Sequence, residues 1–195
     1  NLLDAARSQT GADFRKKMLR YLNPDEDIAQ LLDDIPQSTD YTEWERLINR
    51  AYENGFSNEL LGVTLRQLES YPDDVGLLYI AACLRCTIPN EEISLSVKDF
   101  IAALKYSADI YDRTTQENIL ITFMLWASDR STNSVNKELI LSELSQYIVG
   151  KYSLLSIMQK ISDHDNFIKV NTQFAKTVST EINGLVKQFT NEFRS

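Results

Sequence analysis

The chain is poor in the residues that carry most local chemistry. Its 195 residues include one histidine, two cysteines, six glycines and four prolines. No Gly-rich phosphate loop of P-loop or dinucleotide type occurs, and neither G-x-S-x-G nor H-E-x-x-H is present. So little Gly and Pro leaves no room for a collagen-like or low-complexity chain. Two cysteines form no disulfide framework, and a chain of this length needs none. No run approaches the roughly 20 apolar residues of a membrane span, so membrane insertion is not expected. The first residues, NLLDAARSQTGADFRKK, lack the apolar core of a signal peptide. They also lack an initiator Met, which fits a processed form or a piece cut from something longer.

Basic charge is scarce as well. Twenty Lys and Arg face 28 Asp and Glu, for a net charge of −8. Nucleic-acid binding needs Lys and Arg clustered on one face, so it is not expected of this domain alone. The densest cluster, Arg15, Lys16, Lys17 and Arg20, reads as a solvated helix face. The acid-rich NPDEDIAQLLDD and the later DRSTNSVNKELI both lack the sixth-position Gly and the twelfth-position Glu of a calcium loop.

What the chain does have is helical period, with 43% hydrophobic and 25% charged residues. Phe14, Met18, Tyr21 and Leu22 share one helical face. Asn23 caps the next segment, Pro24 opens it and Pro36 ends it, with Ile28, Leu31, Leu32 and Ile35 as its stripe. Thr42 and Glu45 are spaced as a capping box ahead of Trp44, Leu47, Ile48 and Ala51, and Gly55 sits where a left-handed C-cap belongs. Ser57 is placed to cap the following helix, which carries Leu61, Leu65 and Leu68 inward and stops before Pro72. A helix starting at Asp73 or Asp74 is followed by one with Ile93, Val97, Phe100, Leu104, Ala108 and Tyr111 on one face. Thr114 and Glu117 form a second capping-box pattern before NILITFMLWA, a segment apolar nearly all round. SDRSTNSVN reads as a loop, dividing the chain near residue 132. KELILSELSQYIVG ends at Gly150, and the short YSLLSIMQKI follows. The last apolar row runs through Phe167, Val170, Phe174, Val178, Ile182, Leu185, Phe189 and Phe193. The expected fold is all-α, with about nine or ten helices packed as antiparallel hairpins in a bundle or a short right-handed solenoid. Residues 1–130 form the hairpin region. Residues 131–195 form a C-terminal region with a long amphipathic helix packing on it, in one continuous domain.

Trp44-x-x-Leu47, Gly55 and Pro72 stand at the spacing of one helix–turn–helix unit, and this stretch resembles the tetratricopeptide repeat. Residues 73–112 resemble a second unit more loosely, through Leu78, Ala81 and Ala82, although TIPNEEIS is longer than the usual turn. Ile48, Leu60 and Thr64 depart from the family's pattern, where a small residue, Ala and an aromatic are usual. The resemblance covers about residues 41–112 and implies a concave surface that binds peptides or proteins rather than catalysing a reaction.

Two sites could carry chemistry. Cys83-Leu84-Arg85-Cys86 is a C-x-x-C pair, but it falls at the end of a predicted helix, where the dipole opposes a thiolate. Residues three apart on a helix also hold their Cβ atoms at roughly 5–6 Å, too far for a disulfide. Two packed small side chains is the expectation. His164, between Asp163 and Asp165, could join a metal site, but a helix cap beside a solvated ring accounts for the same residues. No catalytic, cofactor-binding or metal-ligating residue is therefore assigned, and no cofactor is expected. The expected function is a non-catalytic helical protein–protein interaction or adaptor module, soluble and cytoplasmic, whose partner-binding candidates are Phe174, Val178, Ile182, Leu185, Phe189 and Phe193. The alternatives are an accessory all-α domain of a larger enzyme, such as an ATPase or helicase lying outside these residues, and a stand-alone metal-dependent all-α enzyme.

Overall fold

A computed structural model of the chain describes residues 41–161 and 172–192. Among the described residues there are eight helices and no strand: α1 (Tyr41–Glu53), α2 (Ser57–Ser70), α3 (Val75–Thr87), α4 (Ile93–Ser107), α5 (Arg113–Arg130), α6 (Ser134–Ile148), α7 (Leu154–Ile161) and α8 (Thr172–Glu192). None is long and apolar enough to cross a membrane. The basic cluster at 15–20, the segment from Asn23 to Pro36, His164, Phe167, Val170 and Phe193 lie outside the described residues.

The helix ends follow local chemistry. Gly55 adopts φ +70°, its N–H donates to Tyr52 C=O at 3.1 Å, and Phe56 N–H donates to Ala51 C=O at 2.7 Å. This is a Schellman closure, and it needs the left-handed conformation that glycine adopts without strain. The Asp74 side chain accepts from Leu77 N–H at 2.8 Å and so starts α3, as its position implied.

Other caps differ from expectation. Thr42 lies inside α1, and Glu45 turns to the Tyr79 hydroxyl instead of closing a capping box. Phe56, not Ser57, holds the N-cap position of α2 and contributes no side-chain bond. Asp112 caps α5 by accepting from Thr115 N–H at 2.8 Å, which leaves Thr114 within the helix and Glu117 free for another task. The polar SDRSTNSVN is mostly helical: α5 continues to Arg130 and α6 starts at Ser134, with Asn133 capping through Asn136 N–H at 2.7 Å. Polar composition reports exposure, and here it marks helix ends rather than a long loop. Ala108, expected on the inner face of α4, is exposed because the helix stops one residue earlier.

The helices pack in a regular order. Every substantial helix contact among the described residues joins neighbours or next-but-one neighbours along the chain. Thus α1, α3, α5 and α7 touch in succession, as do α4, α6 and α8, with α2 against α1 and α3. At the centre lies α3, which is buried at every position from Val75 to Cys86. Tyr79 of α3 is fully buried, with its ring centroid 5.6 Å from that of Trp44, 6.0 Å from Phe100 and 6.3 Å from Phe123. Phe100 and Phe123 stack at 3.9 Å. Gly76 lets the Trp44 indole approach α3 closely, since a Cβ there would meet the ring at 2.8 Å. One buried cluster runs from Trp44 through Ile161.

Polar clamps fix the ends of this core. Arg85, buried on α3, donates from Nε to Asp99 Oδ2 of α4 at 2.9 Å and from Nη1 to Glu91 Oε2 at 2.6 Å. Thr132 N–H donates to Cys86 C=O at 3.2 Å, tying the α5–α6 turn to the end of α3. Glu117, buried on α5, accepts Ser153 N–H at 3.0 Å at the start of α7. Arg113 reinforces that joint by donating to Lys151 C=O at 2.8 Å.

Replacing Arg85 with Met should leave two carboxylates partly buried without their cation. A loss of about 2–3 kcal/mol is expected, lowering Tm by roughly 5–10 °C in a domain of this size. Thermal melts of Arg85→Met, alone and with Asp99→Asn and Glu91→Gln, measure this. The triple variant should recover part of the loss.

Candidate partner-binding cleft

The face of α1 opposite its apolar stripe is wholly polar. Thr42, Glu45, Arg46, Asn49, Arg50 and Glu53 follow the i, i+3, i+4, i+7 rhythm that places them on one side of the helix. With Thr122 of α5 they line an open cleft of about 540 Å³. Both α1 and α5 rest on α3. Among the described residues the cleft runs along α1 and meets α5 at Thr122.

One side of the cleft meets a buried polar relay. Tyr79 Oη, buried in the core, donates to Glu45 Oε1 at 3.1 Å. Burial raises the Glu45 carboxyl above its usual range, against the opposing effects of the Tyr79 hydrogen bond and the Arg130 charge. Burial, followed by the charges of Cys83 and Glu45, pushes the Tyr79 phenol far up, so it stays a neutral donor. The Arg130 guanidinium lies 5.9 Å from the Tyr52 ring centroid and 5.6 Å from that of Trp126. Such cation–aromatic contacts bring roughly 0.5–2 kcal/mol as they lose water. Two buried polar atoms among the described residues have no hydrogen-bond partner, Asn49 Oδ1 on the α1 wall and Trp126 Nε1 on α5.

The C-x-x-C pair sits at the end of α3 that its neighbours indicated. Cys83 and Cys86 are free thiols, and both are fully buried. Burial pushes the Cys86 thiol up to about 12, although the Ser96 hydroxyl at 3.2 Å favours its thiolate. Burial also raises Cys83 far above its usual value, with the charges of Cys86 and Glu45 adding to it. Neither group is a nucleophile at neutral pH in this setting.

The expected partner-binding row falls in part on α8. Phe174, Val178, Ile182, Leu185 and Phe189 lie in that helix, which packs on α6. The outward positions Lys176, Thr180, Asn183, Lys187 and Asn191 are exposed and polar, and Val186, 58% exposed, is an apolar exception. The α1 stripe was not among the expected binding residues. Its signal was present as an unbroken polar row, but Thr42 and Glu45 also fit a capping pattern that explained them locally.

Compared with models of protein families, with curated proteins and with solved structures, the chain matches none.

Two outcomes follow. Ellman's reagent should leave both cysteines unmodified in the native protein and titrate two thiols on unfolding. Rapid native modification of either would contradict their burial. For Glu45, the folded-state value is raised, so the unfolded chain ionises first as pH rises through the carboxylate range. Stability therefore falls across that window and then levels once the folded carboxyl also ionises. Glu45→Gln should melt above the parent at pH 7 and close to it near pH 3.5, and equal differences at both pH values would exclude this origin.

Proposed function

We propose that the chain is a non-catalytic helical interaction module, made of stacked antiparallel hairpins in the manner of a tetratricopeptide array, which holds a segment of a protein partner in the cleft between α1 and α5. The observation that carries this reading is the order of helix contacts. Neighbour and next-neighbour packing is what a one-dimensional stack of hairpins produces, and such stacks present an extended face for binding. The Gly55 turn, the stop before Pro72 and the Trp44–Gly76 contact between successive hairpins support the same reading. Two unpaired thiols suit a cytoplasmic setting. The apolar row Phe174, Val178, Ile182, Leu185, Phe189 and Phe193 belongs to this proposal as a packing stripe that a partner could share.

The test is affinity capture from the native host with three baits: the parent chain, Arg50→Glu with Glu53→Lys in the cleft, and Phe174→Asp with Phe189→Asp in α8. A captured protein should fall about tenfold with the cleft bait. Loss with the α8 bait alone moves the site to that helix, and unchanged capture by both variants removes the reading.

A further inference from the structure

We propose that the Asn183–Gly184 pair of α8 is a spontaneous modification site, where the chain converts its own asparagine into aspartate and isoaspartate. This goes beyond the proposed function and does not rest on it.

The reaction needs only two neighbouring residues and water. The glycine backbone nitrogen gives up its proton and attacks the asparagine Cγ. The N–Cγ bond forms, the Cγ–Nδ2 bond breaks, and Nδ2 leaves with the proton as ammonia. Water then opens the cyclic imide at either carbonyl. Breaking the new N–Cγ bond leaves aspartate. Breaking the original peptide bond leaves isoaspartate, whose main chain runs through Cβ and Cγ. No oxidant or reductant takes part. Glycine favours the attack because no Cβ shields its nitrogen. A closed helix opposes it, because the N–H is turned to the carbonyl four residues back.

Asparagine is followed by glycine twice in the chain, at Asn54–Gly55 and at Asn183–Gly184, and the fold treats the two pairs differently. At the end of α1 both reacting groups are held. Asn54 Nδ2 donates to Arg50 C=O at 2.6 Å, and Gly55 N–H donates to Tyr52 C=O at 3.1 Å. The glycine is also required there, by its φ of +70°. In α8 the pair lies inside a helix of 21 residues, and both of its members are exposed. A Cβ on Gly184 would meet no atom within 4 Å, so no neighbour requires a glycine at that position. Glycine in a helix interior costs about 0.5–1 kcal/mol relative to Ala, and Asn is itself a weak helix former. Among the described helices α8 makes substantial contact with α6 alone, and Val186, Lys187 and Gln188 beyond the pair are exposed. Few contacts and poor local propensity make this turn one that opens readily. The two products then act differently on α8. Aspartate at 183 stands four residues before Lys187, a pairing that supports a helix by about 0.2–0.5 kcal/mol. Isoaspartate adds an atom to the main chain and interrupts the hydrogen-bond ladder.

The experiment ages the full chain at mildly alkaline pH, native and in urea, and follows each asparagine by peptide mass spectrometry. In the native protein Asn183 should convert about tenfold faster than Asn54, and in urea the two rates should agree within about twofold. Gly184→Ala should slow conversion at Asn183 about tenfold and melt at or above the parent, since its Cβ meets nothing. Limited trypsin should cut after Lys187 faster in the isoaspartyl fraction than in Asn183→Asp. Native conversion at Asn183 no faster than at Asn54 overturns the proposal. A tenfold difference that persists in urea overturns it too, because the fold would not be its origin. So does a fall of several degrees in the Gly184→Ala melt, which would show the glycine serving the fold. Equal cutting of the two forms by trypsin overturns the break assigned to α8.

Discussion

The enclosure of Tyr79 by aromatic rings from three other helices holds the positions of α1, α4 and α5 relative to α3. Trp44, Phe100 and Phe123 all lie within 6.3 Å of its centroid, and each approaches from a different helix. Contacts of this kind bring roughly 0.5–1.5 kcal/mol each beyond the burial of the rings. The approach of Trp44 depends in turn on Gly76, whose missing side chain leaves room for the indole. The hydroxyl of the same tyrosine needs a partner inside the core, and Glu45 supplies it. One ring therefore sets the spacing of the core and draws a carboxylate toward the cleft.

A helix buried on every side raises a problem at its ends, where backbone and charge must still be satisfied. The chain solves it with side chains and turns. Asp74 caps the start of α3, Arg85 near its end is held between Asp99 and Glu91, and Thr132 takes up the Cys86 carbonyl. Glu117 plays the matching part between α5 and α7. The Thr132 and Glu117 contacts lie between successive hairpins, and the Arg85 clamp closes the α3–α4 hairpin. Their contribution is to register more than to total stability, since removing a partner costs far more than forming the pair gains.

The cleft is a by-product of the same arrangement. The polar stripe of α1 lines it, and α5 reaches it at Thr122. Most of the polar groups there are ordinary surface residues. Asn49 differs, because its Oδ1 is buried with no partner. In a core otherwise well satisfied, such groups are where stability has been set against another requirement.

Helix period, the Gly55 turn, the Asp74 cap and the stop before Pro72 were all legible in the chain, because each depends on residues within a few positions of one another. The same locality misassigned Thr42, Glu45, Ser57, Thr114 and Glu117 as caps. Glu45 and Glu117 answer to Tyr79 and Ser153, 34 and 36 residues away, and no local pattern records such partners. The Cys83–Cys86 pair could be placed at the unfavourable end of a helix from its neighbours, but its complete burial follows from α3 lying among α1, α2, α4 and α5. The sequence by itself determined that this chain is helical and where several of its helices turn, since backbone hydrogen bonds and caps are short-range. Which helix lies at the centre, which carboxylates are drawn inward and where a cleft opens were decided only by the tertiary structure, because those follow from long-range packing around a single ring.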